Sequence, residues 1–255
     1  MRETMLLAAV GFNQVLIFNI AVLNTIHPHT QFKLNKLVVF VLLLGAITAC
    51  KKSAPTNNSI NLGYSFFPID SGIVKYYAVD SIAYSDITHS SDTFHFILKE
   101  EFAGLISGQT FQYHREILRS VRTDTSQNWH ARTSVFVIVN SNNLEWLEDN
   151  IRQVKLAFPI GNVLSWNGNQ SNNLGRKTFL LQNIHQAFNN GDTVFNDCVA
   201  VQESLANNAI EEILIKSVYS NGIGLIDFTN NNLNTQVTGV SGYKIHQKLI
   251  HYYLP

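Results

Sequence analysis

His114 and Glu116 stand two apart in a segment whose alternation predicts a strand, so their side chains fall on one side of it, with His95 offered by a neighbouring strand. An imidazole beside a carboxylate can relay a proton or ligate a metal, which makes this trio the candidate acid–base cluster of a hydrolase. A solvated polar face accounts for the same residues more simply. The adjacent carboxylates Glu100-Glu101 and Glu211-Glu212 look like acid pairs, yet neighbours on a strand point to opposite faces and cannot share a site. His246 and His251, five apart, are placed on opposite faces by the same rule. The sequence holds no Gly-x-x-x-x-Gly-Lys phosphate loop, no His-Glu-x-x-His pair, no Cys-x-x-Cys and no Gly-x-Ser-x-Gly elbow. No catalytic residue is assigned, no metal or cofactor is expected, and a non-enzymatic role is favoured.

The elements that would carry these residues are strands. Phe94, Phe96 and Leu98 alternate with His95 and Lys99; Ile117 and Val121 alternate with His114, Glu116 and Ser120; Tyr243, Ile245, Leu249 and Tyr253 alternate with Lys244, His246 and Lys248. Strands are predicted at 73–84, 93–102, 111–122, 134–140, 150–158, 177–187, 193–203, 209–219, 223–229 and 242–253, with a weak helical turn at Leu144 to Gln153. Asn189-Asn190-Gly191-Asp192, Asn207-Asn208 and Asn221-Gly222 supply residues that tolerate the positive φ of tight hairpin turns. The fold class is therefore all-β, an antiparallel meander of about ten strands forming a barrel, half-barrel or sandwich.

Across 255 residues, 18 Lys or Arg balance 18 Asp or Glu, which gives no reason to expect a nucleic-acid partner, and 45% apolar residues suffice for a real core. Lys33 and Lys36 precede an uncharged run, Leu37 to Ala49, too short for a membrane span of about 20 residues and ending in small side chains. Ile47-Thr48-Ala49-Cys50 closely resembles the lipobox of bacterial lipoproteins, whose cysteine is lipidated and becomes the mature N-terminus. Cys50 would then carry several acyl chains, enough for stable anchoring without a transmembrane helix.

Residues 1–49 are accordingly expected to be a leader and signal peptide, 50–60 a lipidated tether and 61–255 a single β-domain. Met5 to Ile26 is a second apolar stretch, broken by Asn13, Gln14, Asn19 and Asn24; a translation start later than Met1, or a long discarded leader, accounts for it. Residues 1–49 hold three of the basic residues and one acidic one, so the remainder carries a formal charge of −2. With Cys50 lipidated, Cys198 has no partner for an internal disulfide. Its strand places Val194, Cys198 and Ala200 on one face against Phe195, Val199 and Val201, so a buried inert thiol is expected.

Three further segments extend the resemblance. Phe66-Phe67-Pro68-Ile69-Asp70-Ser71-Gly72 is followed by Tyr76, Val79 and Asp80. Leu156-Ala157-Phe158-Pro159-Ile160 leads to Trp166-Asn167-Gly168. Glu212, Val218 and Tyr219 lead to Gly222-Ile223-Gly224-Leu225-Ile226. Together they resemble uncharacterised lipoproteins of Bacteroidota over most of residues 64–253. The family carries no activity across. Pro68 and Gly72 fit a turn that launches the first strand, Gly222 a hairpin, Gly224 a close backbone approach, and Trp166 a loop aromatic folded over a rim. Asp80-Ser81-Ile82 and Asp192-Thr193-Val194 resemble the O-glycosylation acceptors of the same bacteria.

The function expected is that of a membrane-anchored envelope lipoprotein whose β-domain binds an apolar ligand or lipid. An assembly component pairing its sheet edges with another envelope protein is the alternative, and the His114/Glu116 hydrolase a third. Lys51, Lys52 and Ser53 lack the acidic run of a surface-export signal, so an outer-membrane position facing the periplasm is expected.

Overall fold

The computed structural model describes residues 61–105 and 114–255, excluding the side chains of Leu105 and His114. Alternating apolar residues produce strands throughout: β1 (Val74–Ser85), β2 (Ser90–Leu105), β3 (His114–Arg122), β4 (His130–Val139), β5 (Asn143–Glu148), β6 (Ile151–Ala157), β7 (Ser165–Asn167), β8 (Thr178–Asn189), β9 (Val194–Asn207), β10 (Glu211–Ser220), β11 (Gly224–Gln236) and β12 (Gly239–Tyr253). All pairings are antiparallel, in one sheet of order β6-β5-β4-β3-β2-β1-β12-β11-β10-β9-β8-β7. The chain starts in the middle of the sheet, runs to one edge, and resumes at the other.

That order forces closure. The two edge strands, β6 and β7, are consecutive in sequence, and the seven residues between them span at most about 25 Å. The edges therefore meet and the meander forms a nearly closed barrel. Val154 N donates to the Gly168 carbonyl at 2.8 Å, and the Trp166 indole Nε1 donates back to the Val154 carbonyl at 2.9 Å. The segment after β7 completes the seam: Asn172 Nδ2 donates to the Arg152 carbonyl at 2.7 Å and Ser171 Oγ to Glu145 Oε1 at 2.8 Å, while Glu145 pairs with Arg152. Trp166 is thus a buried member of a short strand, not a rim aromatic.

The weak helical turn expected over Leu144 to Gln153 is replaced by the β5–β6 hairpin. Its two-residue turn, Asp149-Asn150, has positive φ at both positions (50° and 62°), which matches the twist of the flanking strands. Splitting that region and adding β7 raises the count from about ten strands to twelve.

One end of the barrel is closed by residues 61–72. They are tied to three loops and to β2: Ile160 N donates to the Leu62 carbonyl, the Tyr64 side-chain hydroxyl to the Ser141 carbonyl, Gly222 N to the Ser65 carbonyl and Gly72 N to the Phe102 carbonyl. Phe66 and Phe67 enter the barrel and pack with Phe102, Ile117, Val135, Leu156, Trp166, Phe179, Val201 and Tyr219. Gly72, at φ 88°, makes the turn into β1 as expected.

A second cluster, including Leu98, Ala200, Val218, Ile226 and Leu249, forms where the β8–β9 hairpin bends. Asn183 and His185 adopt positive φ (50° and 55°), and the β8–β9 register shifts there. Beyond the bend Phe188 and Phe195 pack into this cluster, and the tip is pinned by Asn190 Nδ2 donating to the Leu249 carbonyl (2.9 Å) and by Lys248 paired with Asp192 (2.7 Å). The shift carries Phe195 onto the face of Cys198 and Ala200, where strict alternation had placed it opposite. Cys198 is free and buried, and burial pushes its thiol pKa up, so the inert reading stands.

Candidate functional site

The expected His114–Glu116–His95 cluster does not assemble. Ile117, next to Glu116, pairs with Phe102, seven residues along β2 from His95, a separation of roughly 23 Å at strand rise. His95 instead bonds Asp80 at 2.6 Å on the outer surface, with the imidazole 71% exposed. The side chain of His114 lies outside the described set. Among the described residues no group of three or more His, Cys, Asp or Glu could hold a metal ion. His246 and His251 share a face, contrary to alternation, because a bulge between Tyr76 and Tyr77 inserts an extra residue in β12, so that His246 pairs with Asp80 and His251 with Tyr76. His246 is bonded to Asp227 at 2.8 Å, which raises its pKa. Cys50 lies outside the described residues.

The barrel interior is the candidate site. A cavity of about 680 Å³ occupies the lumen, within the roughly 300–1,000 Å³ common for small-molecule sites. Its floor is Phe67, Trp146, Tyr219 and Leu225, and its walls include Val79, Phe96, Leu98, Ile215, Phe228 and Ile245. Asp149 and Leu174, in the turns opposite the plug, line its mouth. The turns at that end carry Ile87, Ile210 and Val237, all largely exposed. Ser81, one of the two glycosylation-like acceptors, lines the lumen, while Thr193 is exposed at the β8–β9 tip.

Buried charges stand between the apolar walls, in two groups. In the first, Glu100, 2% exposed, receives Arg119 Nε at 2.9 Å, and Arg119 Nη1 reaches Glu148 Oε1 at 2.6 Å, while the Trp146 indole donates to Glu148 Oε2 at 3.0 Å. Burial opposes the charge on Arg119; Glu100 and Glu148 outweigh it, and its pKa is raised. Glu101 faces the other way and pairs with Lys99, as strand alternation requires. Lys75, opposite Glu100 in register, is fully buried and its Nζ has no hydrogen-bond partner. The ammonium lies over the rings of Phe67 (5.3 Å) and Phe102 (5.0 Å), and burial lowers its pKa to about 8 against the pull of Glu100.

Gly224, at φ 95°, is the close approach expected of it: a Cβ there would lie 2.5 Å from Lys75 Nζ. Two of the resemblance motifs therefore converge on one lysine. The Tyr77 hydroxyl donates to the Leu225 carbonyl at 3.1 Å in the same layer.

In the second group Lys155 Nζ bonds both oxygens of Glu203 (2.9 and 2.8 Å), and Ser217 Oγ donates to the same carboxylate at 3.3 Å. Lys177, also lining the cavity, lies 5.6 Å from the Phe179 ring, as Lys155 does.

Apart from Glu100, set aside as half of an acid pair, none of these charges stands out as a candidate in the sequence, yet four strands carry a signal, while Lys155 is out of phase with the buried Val154 and Leu156. Lys75 is in phase with Tyr77 and Val79, Glu100 with Leu98 and Phe102, Arg119 with Ile117 and Val121, and Glu203 with Val199 and Val201. A charge in the apolar phase of a strand marks a polar interior.

The fold is similar at low overlap to two solved structures. One is named an exported protein with a YmcC-like fold, from Bacteroides fragilis NCTC 9343, with a TM-score of 0.42, 9% identity, and coverage of 74% of this chain and 99% of the other. The second is named a lipoprotein, from Parabacteroides distasonis ATCC 8503, with a TM-score of 0.43, 10% identity, and coverage of 74% and 98%. No family model and no curated protein matches the chain. Among the described residues no helix is long and apolar enough to cross a membrane, which says nothing of β-barrels.

Proposed function

We propose that the protein is a non-enzymatic envelope lipoprotein, anchored through Cys50, whose barrel lumen binds an apolar or amphiphilic ligand. The observation that carries this reading is the lumen: a cavity of about 680 Å³ plugged at one end by Phe66 and Phe67 and open at the other. Barrels of about eight strands can fill their interior with side chains, whereas a barrel of twelve is wide enough to enclose a ligand cavity.

The edge-pairing alternative has little to work with, because β6 and β7 meet each other across the seam. The hydrolase alternative loses its His95–Glu116 geometry. Anchoring is tested by feeding producing cells labelled palmitate: the wild-type chain is expected to take label and Cys50→Ala to lose both label and envelope association. An unlabelled wild-type chain would overturn the anchor.

A further inference from the structure

The charges at and just behind the lumen wall, five cations against four carboxylates, leave one cation in excess, and that sign names the kind of ligand. In the first group, Arg119 is ion-paired to both Glu100 and Glu148, and Lys75, whose Nζ makes no hydrogen bond, balances them in number only. At the mouth, Arg132 and Asp149 are one of each sign. In the second group, Glu203 is engaged by Lys155 through both oxygens, and Lys177 stands beside them with no carboxylate partner among the described residues.

Lys177 is held in that position by its backbone. Its carbonyl accepts from Gly168 N at 2.8 Å, and its N–H donates to Asn167 Oδ1 at 3.0 Å, so the root of the side chain is fixed at the seam just before β8. Around the ammonium are Phe179, Lys155 and Glu203. Burial lowers its pKa and Lys155 lowers it further, while Glu203, already shared, opposes them. A half-desolvated cation with a like charge beside it is a poor final state for a folded wall; an anion in the lumen would relieve both costs.

We propose that the lumen takes an amphiphile with a single anionic head, a carboxylate or phosphate on an alkyl chain, with the head paired to Lys177 and the chain against Phe96, Leu98, Phe228 and Ile245. This rests on the lumen being a ligand site at all. A neutral amphiphile would fill the apolar wall equally well and leave Lys177 unpaired, so the head group is the discriminating part.

The test uses the full-length chain in lipid nanodiscs and three diazirine-bearing probes of equal chain length: a fatty acid, an alkyl phosphate and a fatty alcohol. Peptide mass spectrometry then maps the insertion sites. Wild type is expected to show lumen insertion by one or both anionic probes well above that of the alcohol, and their ratio tells carboxylate from phosphate. Lys177→Gln is expected to lower anionic insertion about tenfold, the scale of one charge-assisted hydrogen bond, with alcohol insertion unchanged and Lys177→Arg restoring the anionic signal. Equal anionic insertion in wild type and Lys177→Gln, or a parallel fall for the alcohol, would overturn the proposal while leaving the lumen as a site. Absence of lumen insertion by all three probes would instead overturn the binding reading itself.

Discussion

The indole of Trp166 donates to the carbonyl of Val154 across the one place where the barrel's sheet is not continuous. Trp166 is 8% exposed and sits on the shortest strand, so this bond and the Val154–Gly168 bond join β6 to the β7 edge directly, beside the bonds that residues 169–172 make to β5 and β6.

Trp166→Phe keeps the aromatic bulk and removes the donor. It is expected to lower stability by about 1–2 kcal/mol, seen as a fall in Tm of roughly 3–6 °C. Ser165→Ala, at an exposed neighbouring position, is expected to stay within about 0.5 kcal/mol. Equal effects of the two in thermal unfolding would mean that the seam bond contributes nothing.

Lys75 makes stability depend on alkaline pH in a stated direction. Its folded pKa of about 8 lies below the ordinary 10.5, so between these values the unfolded chain binds the proton more tightly than the folded one. Stability therefore rises with pH across that window, as the cost of a buried ammonium disappears. The buried phenols of Tyr77 and Tyr219 act oppositely, because burial raises both pKa values: above the ordinary 10 the unfolded chain releases protons that the folded chain keeps, and stability falls. Denaturant unfolding in a pH series is expected to show a maximum between 8 and 10. Lys75→Met is expected to be more stable than wild type at pH 7, by at most about 3 kcal/mol, and to lack the rise. A variant that kept the wild-type profile would remove Lys75 as its cause.

Glu100 and Glu101 are adjacent in sequence and opposite in environment. Glu100→Gln leaves the buried Arg119 guanidinium short of a carboxylate and is expected to cost about 3–5 kcal/mol, the range for breaking a buried pair. Glu101→Gln, on the partly exposed pair with Lys99, is expected to cost less than about 1 kcal/mol. Urea titration of the two variants measures the difference; similar losses would contradict the assigned faces.

The strands were legible because segments such as Phe94 to Leu98 put Phe94, Phe96 and Leu98 at period two, and their lengths were underestimated where polar runs such as Asn230 to Gln236 continued a strand with Leu233 as the one apolar residue. The β5–β6 hairpin was hidden because Leu144, Leu147 and Ile151 recur at three and four, a helical spacing, while Asp149-Asn150 in fact turns the chain. Alternation assigned the faces of Glu100 and Glu101 correctly and failed for His246 and His251, since the bulge between them in β12 leaves no mark in the sequence. The lumen was out of reach for a different reason. Lys155 and Glu203 are 48 residues apart and meet only because the barrel closes.

The reading of the lumen as a ligand site is tested most directly by native mass spectrometry of the full-length chain taken from its own membranes, beside Ser81→Trp, which places an indole in the cavity that Ser81 lines. Wild type is expected to carry a noncovalent amphiphile, seen as a mass lost on activation, and Ser81→Trp is expected to remain folded and carry none. A wild-type chain that bears no such adduct, and that takes up no apolar probe when one is supplied, would contradict the account.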